Sequence, residues 1–144
     1  MNNYFECTVK FDQMQENGMI KKVSENYLVD AMSFTEAETQ MINYIRPFVS
    51  GDYRLTSVKR SKISDVVNSK IKDDDLKFFL VKLGVIFMDE KGKEKIIPNY
   101  MLIEAKDVNI ANENTIDIMK NSICDYKIEF VKETKIIDVV DYSG

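Results

Sequence analysis

The chain opens on alternation. Phe5, Cys7, Val9 and Phe11 point one way, and Glu6, Thr8 and Lys10 the other, which predicts a strand with one buried face. MQENGMIKK follows, and Asn17-Gly18 within it is a hairpin signal. KVSENYLVDA is the return strand. The period then changes. Ser33-x-x-Glu36 is a capping box, and Phe34, Ala37, Met41, Ile45 and Phe48 recur at helical spacing as one apolar stripe. Pro47 lies near the predicted end of that helix, and Gly51 supplies a stop. A third strand runs from about Tyr53 to Val58, with Ile63 to Val67 as an extension or second segment.

The same order returns in the second half. Shifted by 74 positions, Phe5 meets Phe79, Met14 meets Met88, Gly18 meets Gly92, Leu28 meets Leu102 and Ala37 meets Ala111. One residue is lost near Gly51. DYRLTSVKRSKISDVV, from Asp52, then falls on DYKIEFVKETKIIDVV, from Asp125. A repeat of this specificity marks an internal duplication; two copies are too few for a solenoid. In the second copy Asp107 takes the helix cap, and Val108, Ala111, Ile118 and Met119 continue the stripe. Asn109, Asn112 and Asn114 weaken that helix. Pro98 stands near the start of the return strand IIPNYMLIEA, where a missing donor is tolerated.

The predicted fold is α+β. Residues 1–67 form one β-β-α-β copy, 68–77 a polar linker, and 78–144 the second copy. A helix with one apolar stripe must bury it, and the sheet is available. One compact pseudo-two-fold domain is expected, its sheet mostly antiparallel with both helices on one face. The second copy differs in FFLVKLGVIFM, which is apolar on both faces. Phe79, Val81, Leu83 and Val85 are assigned to the core; Leu80, Ile86 and Met88 lie on the other face. That face is either buried between the copies or open for self-association or a protein partner.

Composition narrows the chemistry. The chain has no histidine, which removes the commonest general base and metal ligand. Five glycines, with no phosphate-binding fingerprint, exclude most nucleotide-cofactor motifs. A non-enzymatic protein without cofactor or metal is expected. Asp73, Asp74 and Asp75 lack the spacing of a calcium loop and read as a solvated linker. Cys7 and Cys124 are too few for a zinc site. No export signal opens the chain and no apolar run is long enough to span a bilayer, so a cytosolic protein without a membrane partner is expected.

The net charge of −4 is unevenly spread. Residues 1–72 carry +1 and residues 73–144 carry −5. Between Tyr53 and Ser64, Arg54, Lys59, Arg60 and Lys62 stand with no acid among them. The equivalent stretch of the second copy carries only +1. Such a tract can neutralise phosphates and release counterions. Lys10, Lys21 and Lys22 would widen it if the hairpin lies alongside. Tyr53, Tyr4 and Tyr27, if exposed, would stack on bases. The leading expectation is therefore binding of single-stranded nucleic acid, DNA before RNA, with little sequence preference. A charged edge strand protected by lysines would carry the same residues. The rival function is a protein-interaction module acting through the apolar face of the second copy.

FECTVKF, ENGMIKKVSE, YLVDAMSFTEAE and the closing DYKIEFVKETKIIDVV resemble the domain-of-unknown-function family 4494 through nearly the whole chain. Members of that family usually have tryptophan beside the first-strand phenylalanine; here Tyr4 and Phe78 stand in its place. The resemblance implies an origin in gut Bacteroidetes, their mobile elements or their phages, crAss-like phages included. It transfers no catalytic residues.

Overall fold

The computed structural model describes residues 3–142. The first half contains β1 (Tyr4–Met14), β2 (Ile20–Asp30), α1 (Phe34–Ile45), a 3₁₀ turn (Arg46–Phe48), β3 (Tyr53–Arg60) and β4 (Ile63–Val67). The second contains β5 (Lys77–Met88), β6 (Glu94–Ala105), α2 (Val108–Met119), β7 (Asp125–Glu133) and β8 (Ile136–Val140). The α+β class and the repeated element order stand as the pattern predicts. Among the described residues, no helix is long and apolar enough to cross a membrane.

The strands form two four-stranded sheets where the pattern predicts one. Their orders are β3-β1-β2-β8 and β4-β6-β5-β7. Each sheet is antiparallel except at one edge, where β8 joins β2 and β4 joins β6 in parallel. The edge strand is exchanged: each copy gives its last strand to the other copy's sheet. One folded unit is therefore Met1–Lys62 with Lys135–Gly144, and the other is Ile63–Thr134. The boundaries fall inside the copies and not in the linker.

Chain geometry requires this exchange. In the first sheet the fourth strand lies three positions from β3, roughly 14 Å away at ~4.8 Å per strand. It is also parallel to β2, as β3 is. A parallel return needs a crossover of about a dozen residues or more. Only Ser61 and Lys62 separate β3 from β4, a reach of roughly 7 Å. Thr134 and Lys135 impose the same limit between β7 and β8.

Each unit has its own core on the helix side of its sheet. In the first, Phe5, Cys7, Val9, Tyr27 and Val29 meet Ala37, Met41 and Ile45 of α1, and Val140 of β8 joins them. In the second, Phe79, Val81, Leu83, Met101 and Ile103 meet Ala111. Ser33 Oγ accepts from Glu36 N–H at 3.1 Å, and Asp107 Oδ1 from Ile110 N–H at 2.8 Å, so both predicted caps form. Glu36 reaches back one residue beyond the cap, to Met32 N–H. Along α2 the buried positions are Ala111 and Thr115, with Met119 half-buried, whereas Val108 and Ile118 are exposed. Thr115 occupies the place of Met41, and its hydroxyl donates to Ala111 O at 2.8 Å, which leaves no buried donor unpaired.

Both hairpin turns place glycine at positive φ, 81° at Gly18 and 79° at Gly92, where a Cβ would be strained. Both sheets carry a bulge at the same repeat position, with Thr56 and Glu129 as the extra residues.

The exchanged β8 is tied down by Tyr44 of α1, whose hydroxyl donates to Asp138 Oδ2 at 3.0 Å. Tyr44 packs edge-on to Tyr27, which donates to Glu25. Burial, then the Asp138 carboxylate, push the Tyr44 hydroxyl up to about 12. Its ordinary value is 10.0, so it stabilises the fold fully below pH 10, and that contribution fades as pH rises toward 12. Stability measured by urea unfolding should decline above pH 10, and Tyr44→Phe should flatten the decline to the share left by Tyr27. A second outcome follows from the exchange. A protease site inserted between Lys70 and Asp74 should be cleavable while the two pieces still co-elute in gel filtration, separating only in denaturant.

Candidate nucleic-acid interface

Strand alternation sorts the basic residues of the first unit by face. With Phe5, Cys7, Val9 and Phe11 turned toward α1, the side chains of Glu6, Thr8, Lys10 and Asp12 take the helix-free face. The register sets Lys10 between Ser24 and Arg54, Asp12 beside Lys22, and Glu6 between Leu28 and Lys59. Lys10, Lys22, Arg54 and Lys59 thus share one face, and all four are exposed. Lys10, Lys22 and Arg54 line a groove of about 530 Å³ together with Ser24, Asp12 and Asp52.

Of the other predicted site residues, only Tyr53 reaches that groove. Arg60 follows Lys59 in the strand and turns to the helix side, its guanidinium carbon 5.2 Å from the Phe5 ring centre and 5.5 Å from that of Phe34. Tyr53 pairs with Phe11 and is half-buried against the core, while still lining the groove. Lys21 pairs with Gln13 on the side opposite Lys22, and Lys62 lies between β3 and β4. Tyr4 and Tyr27 are buried, 6% and 4% exposed, so neither can stack on a base. The single tract read along β3 is split because a strand sends neighbouring side chains to opposite faces.

Charge pairing differs between the units. Among the described residues the ion pairs are Lys77–Glu133, Lys82–Glu129, Lys106–Asp73 and Lys127–Glu129, all in the second unit. None involves Lys10, Lys22, Arg54 or Lys59. Counted by folded unit, the first carries nine basic and ten acidic residues and the second eleven and fourteen, so net charges are −1 and −3. Strand exchange removes most of the asymmetry between the halves. What remains is a local arrangement, four cations without ion-pair partners on one open sheet face, with Glu6 and Asp12 among them.

The chain belongs to the family of domains of unknown function 4494. The family profile, described as "Domain of unknown function (DUF4494)", matches residues 3–142. No curated protein matches the chain. The match covers both copies.

The second unit of this family member presents a different helix-free face. Leu80 and Ile86 lie on it half-buried, and Met88 is 63% exposed, as the alternation of β5 predicts. Lys82 stands between Tyr100 and Phe130, Gly84 between Pro98 and Lys127, and Ile86 between Ile96 and Asp125. A Cβ at Gly84 would meet Ile96 Cγ2 at 3.0 Å and Lys127 Cγ at 3.3 Å, so these chains fold across the glycine. Gly84, Ile96 and Pro98 stand where the first unit has Lys10, Lys22 and Ser24, and the basic groove has no counterpart here. Tyr100 and Phe130 escaped the sequence reading. Their signal lay in the alignment of the copies, where they replace the polar Asn26 and Ser57.

The two thiols are inequivalent. Cys7 is fully buried, and burial, then Glu6 and Glu38, push it up to about 11; Cys124 is exposed. Titration with a disulfide reagent at pH 8 should therefore count one thiol in the native protein and two in denaturant.

Proposed function

We propose that the chain is a non-enzymatic nucleic-acid-binding protein whose first unit holds the phosphate backbone on its helix-free sheet face. The single observation behind this reading is that Lys10, Lys22, Arg54 and Lys59 share that exposed face without ion-pair partners, while the ion pairs of the described residues lie in the other unit. Phosphates are the natural counter-charge for such a face, and contacts to them carry no sequence information. Arg60, Lys21 and Lys62 are left out of the interface, and Tyr53 stays at its edge as a half-buried wall of the groove. Glu6, Asp12 and Asp52 moderate its field, so affinity is modest and strongly salt-dependent. On this proposal the chain is a phage or mobile-element protein acting in the bacterial cytosol.

One observation favours a second reading. The end of the β5–β6 hairpin exposes Met88 (63%) and Ile96 (47%) on the helix-free face, an apolar surface suited to a protein partner or a second copy.

Fluorescence anisotropy with a labelled oligonucleotide separates the two. Four neutralised phosphates give a slope of about −3 in log K against log salt, at roughly −0.7 per contact for a single strand. Lys10→Glu or Arg54→Glu should weaken binding and lower the slope by about 1. Lys21→Glu, on the opposite side of the hairpin, should leave the slope in place. Absence of binding at low salt rejects the nucleic-acid reading in favour of the interaction module.

A further inference from the structure

The helix-free face of the second unit carries what the first lacks, aromatic rings beside cations. Tyr100 of β6 and Phe130 of β7 flank Lys82 of β5 in one cross-strand row. Lys82 Nζ lies 5.8 Å from the Tyr100 ring centre, and Lys132 Nζ lies 5.0 Å from that of Phe130. Both rings are half-buried, so their bases are anchored in the sheet. Glu129 is held by two lysines, Lys82 at 3.3 Å and Lys127 at 3.9 Å, which offsets its charge and leaves Lys132 outside any ion pair among the described residues. Lys127 and Lys132 keep exposed ammonium groups along β7, on either side of Phe130. Asp125 lies two rows further along the sheet, beside Ile86.

Rings on a sheet face with lysines beside them match one ligand chemistry in particular. An unpaired nucleobase offers a π-face to the ring, and the phosphate on either side of it offers an anion to the lysine; a duplex hides those base faces in its own stack. We infer that Tyr100 and Phe130 form a stacking platform for unpaired bases of a single strand, with Lys127 and Lys132 on the adjoining phosphates. This rests on the nucleic-acid reading of the chain and adds to it a second site, whose rings would carry the expected preference for single strands. The polar counterparts Asn26 and Ser57 confine the platform to the second unit.

The chain has no tryptophan, so an indole placed on the platform reports without background. The experiment is Phe130→Trp in the full chain, titrated with an oligothymidylate, a duplex of equal length and inorganic polyphosphate, following indole fluorescence and, with labelled strands, anisotropy. Single-strand binding should quench the indole, while duplex and polyphosphate should not. Phe130→Leu in the otherwise native chain should lower single-strand affinity by roughly tenfold, within the range of one base–ring stack, and leave duplex affinity unchanged. Binding by anisotropy without quenching overturns the platform and leaves the phosphate-binding face standing. Equal quenching by duplex also overturns it. Absence of any oligonucleotide binding at low salt removes both proposals. If circular dichroism shows that Phe130→Trp does not fold, Tyr100→Trp reads the same platform from its other ring.

Discussion

Two residues between consecutive strands govern this architecture. Ser61 and Lys62 cannot carry the chain from one edge of a four-stranded sheet to the other, nor reverse it for a parallel partner. A lone copy would leave β2 with its final backbone row unpaired, an open sheet edge. Duplication supplies the missing strand, because the second copy faces the same shortage and gives up β8 as it takes β4. The fold is therefore completed only by the pair, and the short links, repeated at Thr134 and Lys135, are the reason.

The exchange also explains how the copies could diverge. The clustered core residues lie on the helix side of each sheet, at matching positions such as Phe5 and Phe79 or Val29 and Ile103, while Leu28 and Leu102 are buried on the other face. Register, bulge and glycine turns are kept in both. The open part of the helix-free face answers to none of these constraints. There Lys10 stands against Gly84, Lys22 against Ile96, Asn26 against Tyr100 and Ser57 against Phe130. A strand has two faces with independent demands, so chemistry on one can change while packing on the other is held.

Helix packing shows the same economy. Ala37, Met41 and Ile45 fill the first core, while Ala111, Thr115 and Met119 occupy the matching places in the second. Thr115 keeps its hydroxyl satisfied within its own helix and needs no partner across the interface. The apolar side chains of Val108 and Ile118 remain at the surface, where the predicted apolar stripe would have buried them.

The amino-acid order determined whatever depends on near neighbours. Alternation, caps and glycine turns are contained within segments of a dozen residues, and each predicted element forms where its residues place it. The face of Leu80, Ile86 and Met88 was legible for the same reason, since alternation fixes it within one strand. Tertiary structure alone decided which strands pair across distance, because β4 (ISDVV) and β8 (IIDVV) differ at one position and only the reach of the linking residues chooses a sheet for each. It also divided the basic tract. Read along the chain, Arg54 to Lys62 is one cluster; in the sheet Lys59 and Arg60 face opposite ways, while Lys10 and Lys22 arrive beside Arg54 from other strands. Charge adds by proximity in space, and in a β-sheet the nearest side chains belong to neighbouring strands rather than to neighbouring residues.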